Sequence, residues 1–110
     1  MSLLKITTRA TATGPMLSIT GDLEYDNASS LREALTTLSL EPGQRLILDL
    51  AGLQYCDSSG ITAMIIAHHH ARAAQADIAL TAVPAHIARI LRIVGLDQVF
   101  TLQADGDELV

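Results

Sequence analysis

The sequence is poor in aromatic residues: it has no tryptophan, one phenylalanine and two tyrosines. A core built from it must be aliphatic, with Leu, Ile, Val and Ala packing helices onto a sheet. It has a single cysteine, Cys56, which excludes an internal disulfide and suits a reducing compartment. Basic residues are scarce, 7 against 12 acidic ones, for a net charge of −5. Nucleic acid and anionic membrane surfaces both demand clustered Lys and Arg, so neither is an expected partner. No apolar run approaches the roughly 20 residues of a membrane span. Near the start only Lys5 and Arg9 are basic, and Thr and Gly interrupt any apolar stretch, so no signal peptide is expected and the cytoplasm is the expected location. Repeats, linkers and low-complexity segments are missing too.

What is present is enough for one compact domain spanning residues 1–110, with 49% hydrophobic residues and a monomer as the expected state. The organising stretch runs from Arg45 to Ile66. Leu46, Ile47, Leu48 and Leu50 form an apolar run too short for a typical helix and suited to a strand buried on both faces. A polar turn, Asp57-Ser58-Ser59-Gly60, follows, and then a second apolar run long enough for a helix, expected from about Ser59 to Ala76. Asp and Ser are residues that cap helix N-termini. Unpaired N–H groups and the positive end of the helix dipole converge there, which favours an anion.

Around this centre, Leu4 to Thr11 alternates as a half-buried edge strand, and Thr13-Gly14-Pro15 reads as a turn. Met16 to Thr20 returns as the second strand of an antiparallel hairpin. The segment Gly21 to Tyr25 then leaves the sheet, and Asp26 or Asn27 caps a helix whose buried stripe is Ala28, Leu31, Leu35 and Leu38. Glu41-Pro42-Gly43 stops it. In the second helix Ile61, Met64, Ile65 and His68 make the expected stripe, broadened by Ile66 and Ala67. Asp77 to Thr81 is a further strand. Pro84 opens a third helix, with Ile87, Ile90, Leu91 and Val94 facing the core and Gly95 ending it. Val99 to Leu102 is a last short strand, and Ala104 to Glu108 an acidic, frayed tail. The order predicts an α/β fold: a mixed sheet of four to five strands, with an N-terminal hairpin, parallel strands after it, and three main helices. Three loops, Gly21 to Tyr25, Leu53 to Gly60 and Ala82 to His86, should meet beyond the C-terminal strand ends, where function gathers in such sheets.

Taken alone, Asp57, Ser58 and Ser59 read most simply as helix caps. A nucleophile elbow, Gly-x-Ser-x-Gly, is the rival reading, but Cys56 stands where its first glycine belongs. His68, His69 and His70 lie well along the helix, about ten residues and near 15 Å of rise from Ser58; His86 is the base that could approach across the loops. Consecutive helix residues point about 100° apart, so the histidine triplet does not converge on one ion, and no metal is expected. Cys56 reads as a small buried apolar residue, with redox sensitivity as the alternative. Asp22 reads equally as a turn residue and as a partner contact.

The whole arrangement resembles the STAS domain, and within it the bacterial anti-sigma factor antagonists. The residues that carry the resemblance are Gly21-Asp22-Leu23, Leu48-Asp49-Leu50, Asp57-Ser58-Ser59-Gly60 and Ile90-Leu91-Arg92-Ile93-Val94-Gly95-Leu96-Asp97, in order along nearly the whole chain. The resemblance implies a STAS-like fold and a switch protein without catalysis or cofactor. It implies phosphorylation of Ser58 by an anti-sigma factor that is itself a serine kinase, and a serine phosphatase that resets the switch. The unmodified form would bind the anti-sigma factor and free the sigma factor, through Asp22, Asp57, Ser58, Ser59 and Gly60. It also admits a scaffold or transporter-regulatory module that binds its partner without phosphorylation. A small serine hydrolase is the remote alternative.

Overall fold

The alternation of the second strand decides which face of the sheet is covered. A computed structural model describes residues 3–104. Strand β1 (Lys5–Thr11) and strand β2 (Gly14–Leu23) form the expected antiparallel hairpin, with Lys5 opposite Thr20 and Thr11 opposite Gly14. The turn is Ala12-Thr13, tightened by the Thr11 hydroxyl donating to the Gly14 carbonyl at 2.7 Å. Along β2, Leu17, Ile19, Gly21 and Leu23 are buried while Met16, Ser18, Thr20 and Asp22 are half-buried. Helix α1 (Ala28–Thr36), strand β3 (Arg45–Asp49), strand β4 (Leu53–Cys56), helix α2 (Ser58–Ala73), strand β5 (Asp77–Val83), helix α3 (Ala85–Ile93), a 3-10 turn (Leu96–Gln98) and strand β6 (Thr101–Ala104) follow. The main sheet runs β1-β2-β3-β5-β6, parallel at every pair after the hairpin. Leu17, Ile19, Leu46, Leu48 and Leu80 from the sheet share one core with Leu31 and Leu35 of α1, Met64 of α2, and Ile87 and Leu91 of α3.

Two sequence expectations change at the centre. The segment Gly21 to Tyr25 does not leave the sheet at once, because β2 continues to Leu23. The stretch from Leu53 is not loop throughout: β4 pairs in parallel with the end of β2, Gly21 to Leu53, Asp22 to Tyr55 and Leu23 to Cys56. The reason is hydrogen-bond accounting. Strand β3 pairs with β2 only over Met16, Leu17 and Ser18, leaving the far half of β2 with open backbone groups. The chain turns at Ala51-Gly52 and β4 fills that place, with Gly21 N–H donating to the Gly52 carbonyl at 2.9 Å. The register shifts between Gly21 and Asp22. Gly21 sits at φ +90°, and a Cβ there would collide with the Leu3 carbonyl oxygen.

The helices also differ in detail. Helix α1 ends at Thr36 rather than near Glu41, and the Thr36 and Thr37 hydroxyls bond back to the carbonyls of Glu33 and Ala34 at 2.7 Å each. Leu38 packs on the core from beyond the helix. Helix α2 starts one residue earlier than expected and stops at Ala73; Gln75 adopts φ 60° and Ala76 N–H reaches back to the Ala71 carbonyl at 2.9 Å, a Schellman closure. Its buried face is Gly60, Ala63, Met64, Ala67 and Ala71, rotated from the expected stripe: Ile61, Ile65 and His68 are only half-buried. Ile and Met lie beside Ala around much of this helix, so the larger apolar residues suggested a stripe rotated from the one the small residues form. The small residues let it approach the sheet closely. Pro84 is the residue before α3 begins, Gly95 follows it at φ 81°, and Val94 is exposed rather than core-facing. Strand β6 begins two residues later than the sequence suggests. Residues 105–108 of the expected acidic tail lie outside the described residues.

Candidate functional site

The three predicted loops do meet: Asp57 ties the first two, and His86 of the third reaches Gln54 of the second. Asp57 precedes α2 in an extended conformation, φ −94° and ψ −172°. One carboxylate oxygen, Oδ1, accepts from Gly60 N–H at 3.0 Å, the N-cap bond. The other, Oδ2, accepts from Tyr25 N–H at 3.0 Å, across 32 residues of chain. The Asp57 N–H donates to the Leu23 carbonyl at 3.2 Å. One residue therefore fastens the helix start, the loop after β2 and the end of β2. Asn27 stiffens that loop from the other side: its Oδ1 accepts from Glu24 N–H at 2.8 Å and its Nδ2 donates to the Asp22 carbonyl at 2.9 Å. Asn27 holds the N-cap position of α1, but its side chain turns back into the loop instead of capping the helix.

Ser58 occupies the first position of α2 and is exposed; Ser59 is half-buried. The Ser58 carbonyl accepts from the Thr62 hydroxyl at 2.9 Å, and the Ser58 hydroxyl has no protein hydrogen bond among the described residues. Ser59 lines a small cavity of about 160 Å³ with Tyr25, Ala28, Arg32 and Thr62. Gly60 is required by packing rather than by its backbone angles. A Cβ there would lie 2.8 Å from the Leu23 carbonyl oxygen and press on the Cys56 sulfur. Asp22 belongs to β2, in register with Tyr55, and so is not a turn residue.

Cys56 is buried, its thiol donating weakly to the Asp57 carbonyl at 3.6 Å. Burial first, and the Asp57 carboxylate second, push its pKa up to about 12. A neutral thiol in this place is a packing residue, not a nucleophile. The hydrolase reading loses its base as well. His86 does approach across the loops, but its Nε2 lies 3.0 Å from the Gln54 carbonyl, on strand β4. His68 of the histidine triplet is half-buried with its ring edge-on to Phe100 at 5.8 Å, whereas His69 is exposed. No group of three or more candidate metal ligands occurs among the described residues.

Two residues of the site were missed by the sequence reasoning. Tyr25, on the loop after β2, is 81% exposed, and Tyr55, on β4 two residues before Asp57, is 51% exposed. A signal for them existed: the chain has only two tyrosines, Tyr55 two residues before the Asp-Ser-Ser-Gly turn and Tyr25 at the end of the loop segment Gly21 to Tyr25.

Comparison with known proteins places this geometry. An anti-sigma factor antagonist from Mycobacterium paratuberculosis is similar with a TM-score of 0.80 at 17% identity, covering 92% of this chain and 86% of that one. An anti-sigma-factor antagonist (STAS) domain protein from Planctomyces limnophilus gives a TM-score of 0.75 at 20% identity, covering 90% and 89%. A sulfate transporter family protein from Wolinella succinogenes gives 0.74 at 15% identity, covering 86% and 80%. At these identities the likeness is one of fold. The family model described as "Mlab, STAS domain" matches residues 6–104, from the first strand through the Asp57 clamp to the last strand, and the chain belongs to the STAS domain family.

Proposed function

We propose that this chain is a single-domain anti-sigma factor antagonist, a cytoplasmic switch without catalytic activity or cofactor whose state is set by phosphate on Ser58. The observation that carries the reading is the Ser58 hydroxyl: exposed, free of protein hydrogen bonds among the described residues, and at the first position of a helix whose N-terminus is already fastened by Asp57. A kinase can reach such a hydroxyl, and phosphate there is compatible with the helix end. The unmodified protein binds an anti-sigma factor serine kinase through Asp22, Asp57, Ser58, Ser59 and Gly60, with Tyr25 and Tyr55 as exposed aromatic contacts beside them. Exposed tyrosine is the residue type from which binding hot spots are built. Modification adds about −1.5 to −2 charges to a chain already at −5, next to Asp57. An unpaired dianion at the middle of a docking face is expensive to bury, so the phosphorylated form releases its partner and a serine phosphatase restores binding.

Incubation with ATP and the candidate anti-sigma factor, followed by intact-mass and tandem mass spectrometry, tests the reading. Phosphate on Ser58 is the expected result; phosphate on Ser59 alone overturns the acceptor. Calorimetric titration completes it: Ser58→Ala should bind constitutively, while Ser58→Asp should bind weakly and remain folded by circular dichroism. Undiminished binding by phosphorylated protein refutes the switch.

A second reading has an observation behind it. The fold is shared with a sulfate transporter family protein; on this reading the chain is a transporter-regulatory module that binds its partner without being modified. It predicts capture of a membrane transporter component by both Ser58→Ala and Ser58→Asp with equal affinity.

A further inference from the structure

A second polar site lies at the opposite end of the sheet. Ser58 stands beyond the C-terminal ends of the parallel strands, whereas Arg45 and Asp77 stand at the N-terminal starts of β3 and β5, where they are neighbours in register. With His68 and Arg72, one turn apart on α2, and with Ile78 and Val99, they line a cleft of about 200 Å³. Two of the chain's seven basic residues thus converge on one cleft in a protein of net charge −5. Neither guanidinium has an ion pair or side-chain hydrogen bond among the described residues. The Nδ1 of His68 is itself buried away from the cleft's solvent and has no hydrogen-bond partner among the described residues.

We propose that this cleft binds a small tetrahedral oxyanion, inorganic phosphate or sulfate, held between Arg45 and Arg72, with His68 in its wall. The charge and the size of the cleft both select that class. With His68 neutral, two arginines against Asp77 leave one net positive charge, and guanidinium donors match the oxygens of a tetrahedral anion in pairs. Pockets for organic ligands run about 300–1,000 Å³, so this one is too small for a nucleotide and large enough for an inorganic ion with water. Asp77 opposes the anion and, beside Arg45, restrains the affinity. His68 is at present held below the ordinary histidine pKa, by burial first and then by His69 and Arg72. The charged or titratable groups around it are His69 and Arg72 from α2, Arg45 from β3 and Asp77 from β5. A bound anion offsets the positive ones and raises the histidine pKa.

The test is a nuclear magnetic resonance titration of the full chain, following the His68 ring and the Arg45 and Arg72 amides. Phosphate, sulfate and the larger AMP are added in separate arms, at ionic strength held constant with chloride. The expected result is saturable shifts at these three residues, a rise in the His68 pKa at saturation, and no saturation with AMP. Response to phosphate without sulfate, or the reverse, supports the site and names its ion. Arg72→Gln should weaken binding about tenfold, the size of one lost charge-assisted hydrogen bond. Arg89→Gln, at an exposed position of α3, should leave it unchanged. Arg72→Lys, which keeps the charge, guards against a folding artefact, with circular dichroism on every variant. Shifts that stay linear in anion, that chloride reproduces, or that persist in both Arg45→Gln and Arg72→Gln overturn the proposal.

Discussion

Replacing Asp57 by Ala removes two hydrogen bonds with different jobs, and Asp57→Asn separates them. In Asp57→Ala the helix loses its N-cap acceptor to Gly60, which costs about 1 kcal/mol. It also loses the bond from Tyr25 N–H, which water can partly replace because Tyr25 is exposed; that adds about 0.5–1 kcal/mol. The total is about 2 kcal/mol, or a fall in Tm of about 8 °C at about 4 °C per kcal/mol for a domain of this size. Asparagine caps helices as well as aspartate does. Its one carbonyl oxygen can serve Gly60, but its amide cannot accept from Tyr25. Asp57→Asn should therefore cost about half as much, about 1 kcal/mol including the lost charge at the helix end. Urea denaturation followed by circular dichroism measures both. The asparagine variant should keep its helix and loosen the Tyr25 loop, so faster hydrogen exchange at the Tyr25 amide is its signature. If Asn is as costly as Ala, or if Ala costs less than about 0.5 kcal/mol, the two-handed role of Asp57 is refuted.

Gly60→Ala should destabilise by about 1–3 kcal/mol, since its Cβ would meet the Leu23 carbonyl oxygen at 2.8 Å and backbone cannot swing aside; a urea midpoint equal to wild type would contradict the packing. Gln75→Gly should stabilise by about 1 kcal/mol, because residue 75 adopts φ 60° and glycine does so without strain; a lower Tm would show that the glutamine side chain matters more than the backbone. The Cys56 thiol should resist Ellman's reagent in the native protein at pH 8 and react once urea unfolds it, and rapid native labelling would contradict its burial. Its raised pKa also has a stability consequence. The thiol stays protonated in the fold up to about 12 but ionises near 9.0 when exposed, so its contribution is full below pH 9.0 and is lost as pH rises towards 12. Denaturation across that window should fall more steeply for wild type than for Cys56→Ala.

Much of this protein was legible in local chemistry. The hairpin, the alternation of strands and helices, and the helix start at Asp57-Ser58 follow from short-range rules: period-two apolar residues, Pro and Gly at element ends, a capping residue before an apolar run. The exposure of Ser58 relative to Ser59 also follows from their places on the first turn. Strand β4 was not legible, because Leu53 to Cys56 is too short and irregular to announce itself; it exists because β3 leaves half of β2 unpaired. The buried face of α2 was misjudged because its large and small apolar residues fall on adjoining faces, and close approach to the sheet chose alanine and glycine over isoleucine. The bond from Tyr25 to Asp57, the exposure of the two tyrosines and the meeting of Arg45 with Arg72 likewise span residues far apart in the chain. Local sequence determines which element each residue enters; only the packing of sheet against helix decides which distant residues share a surface.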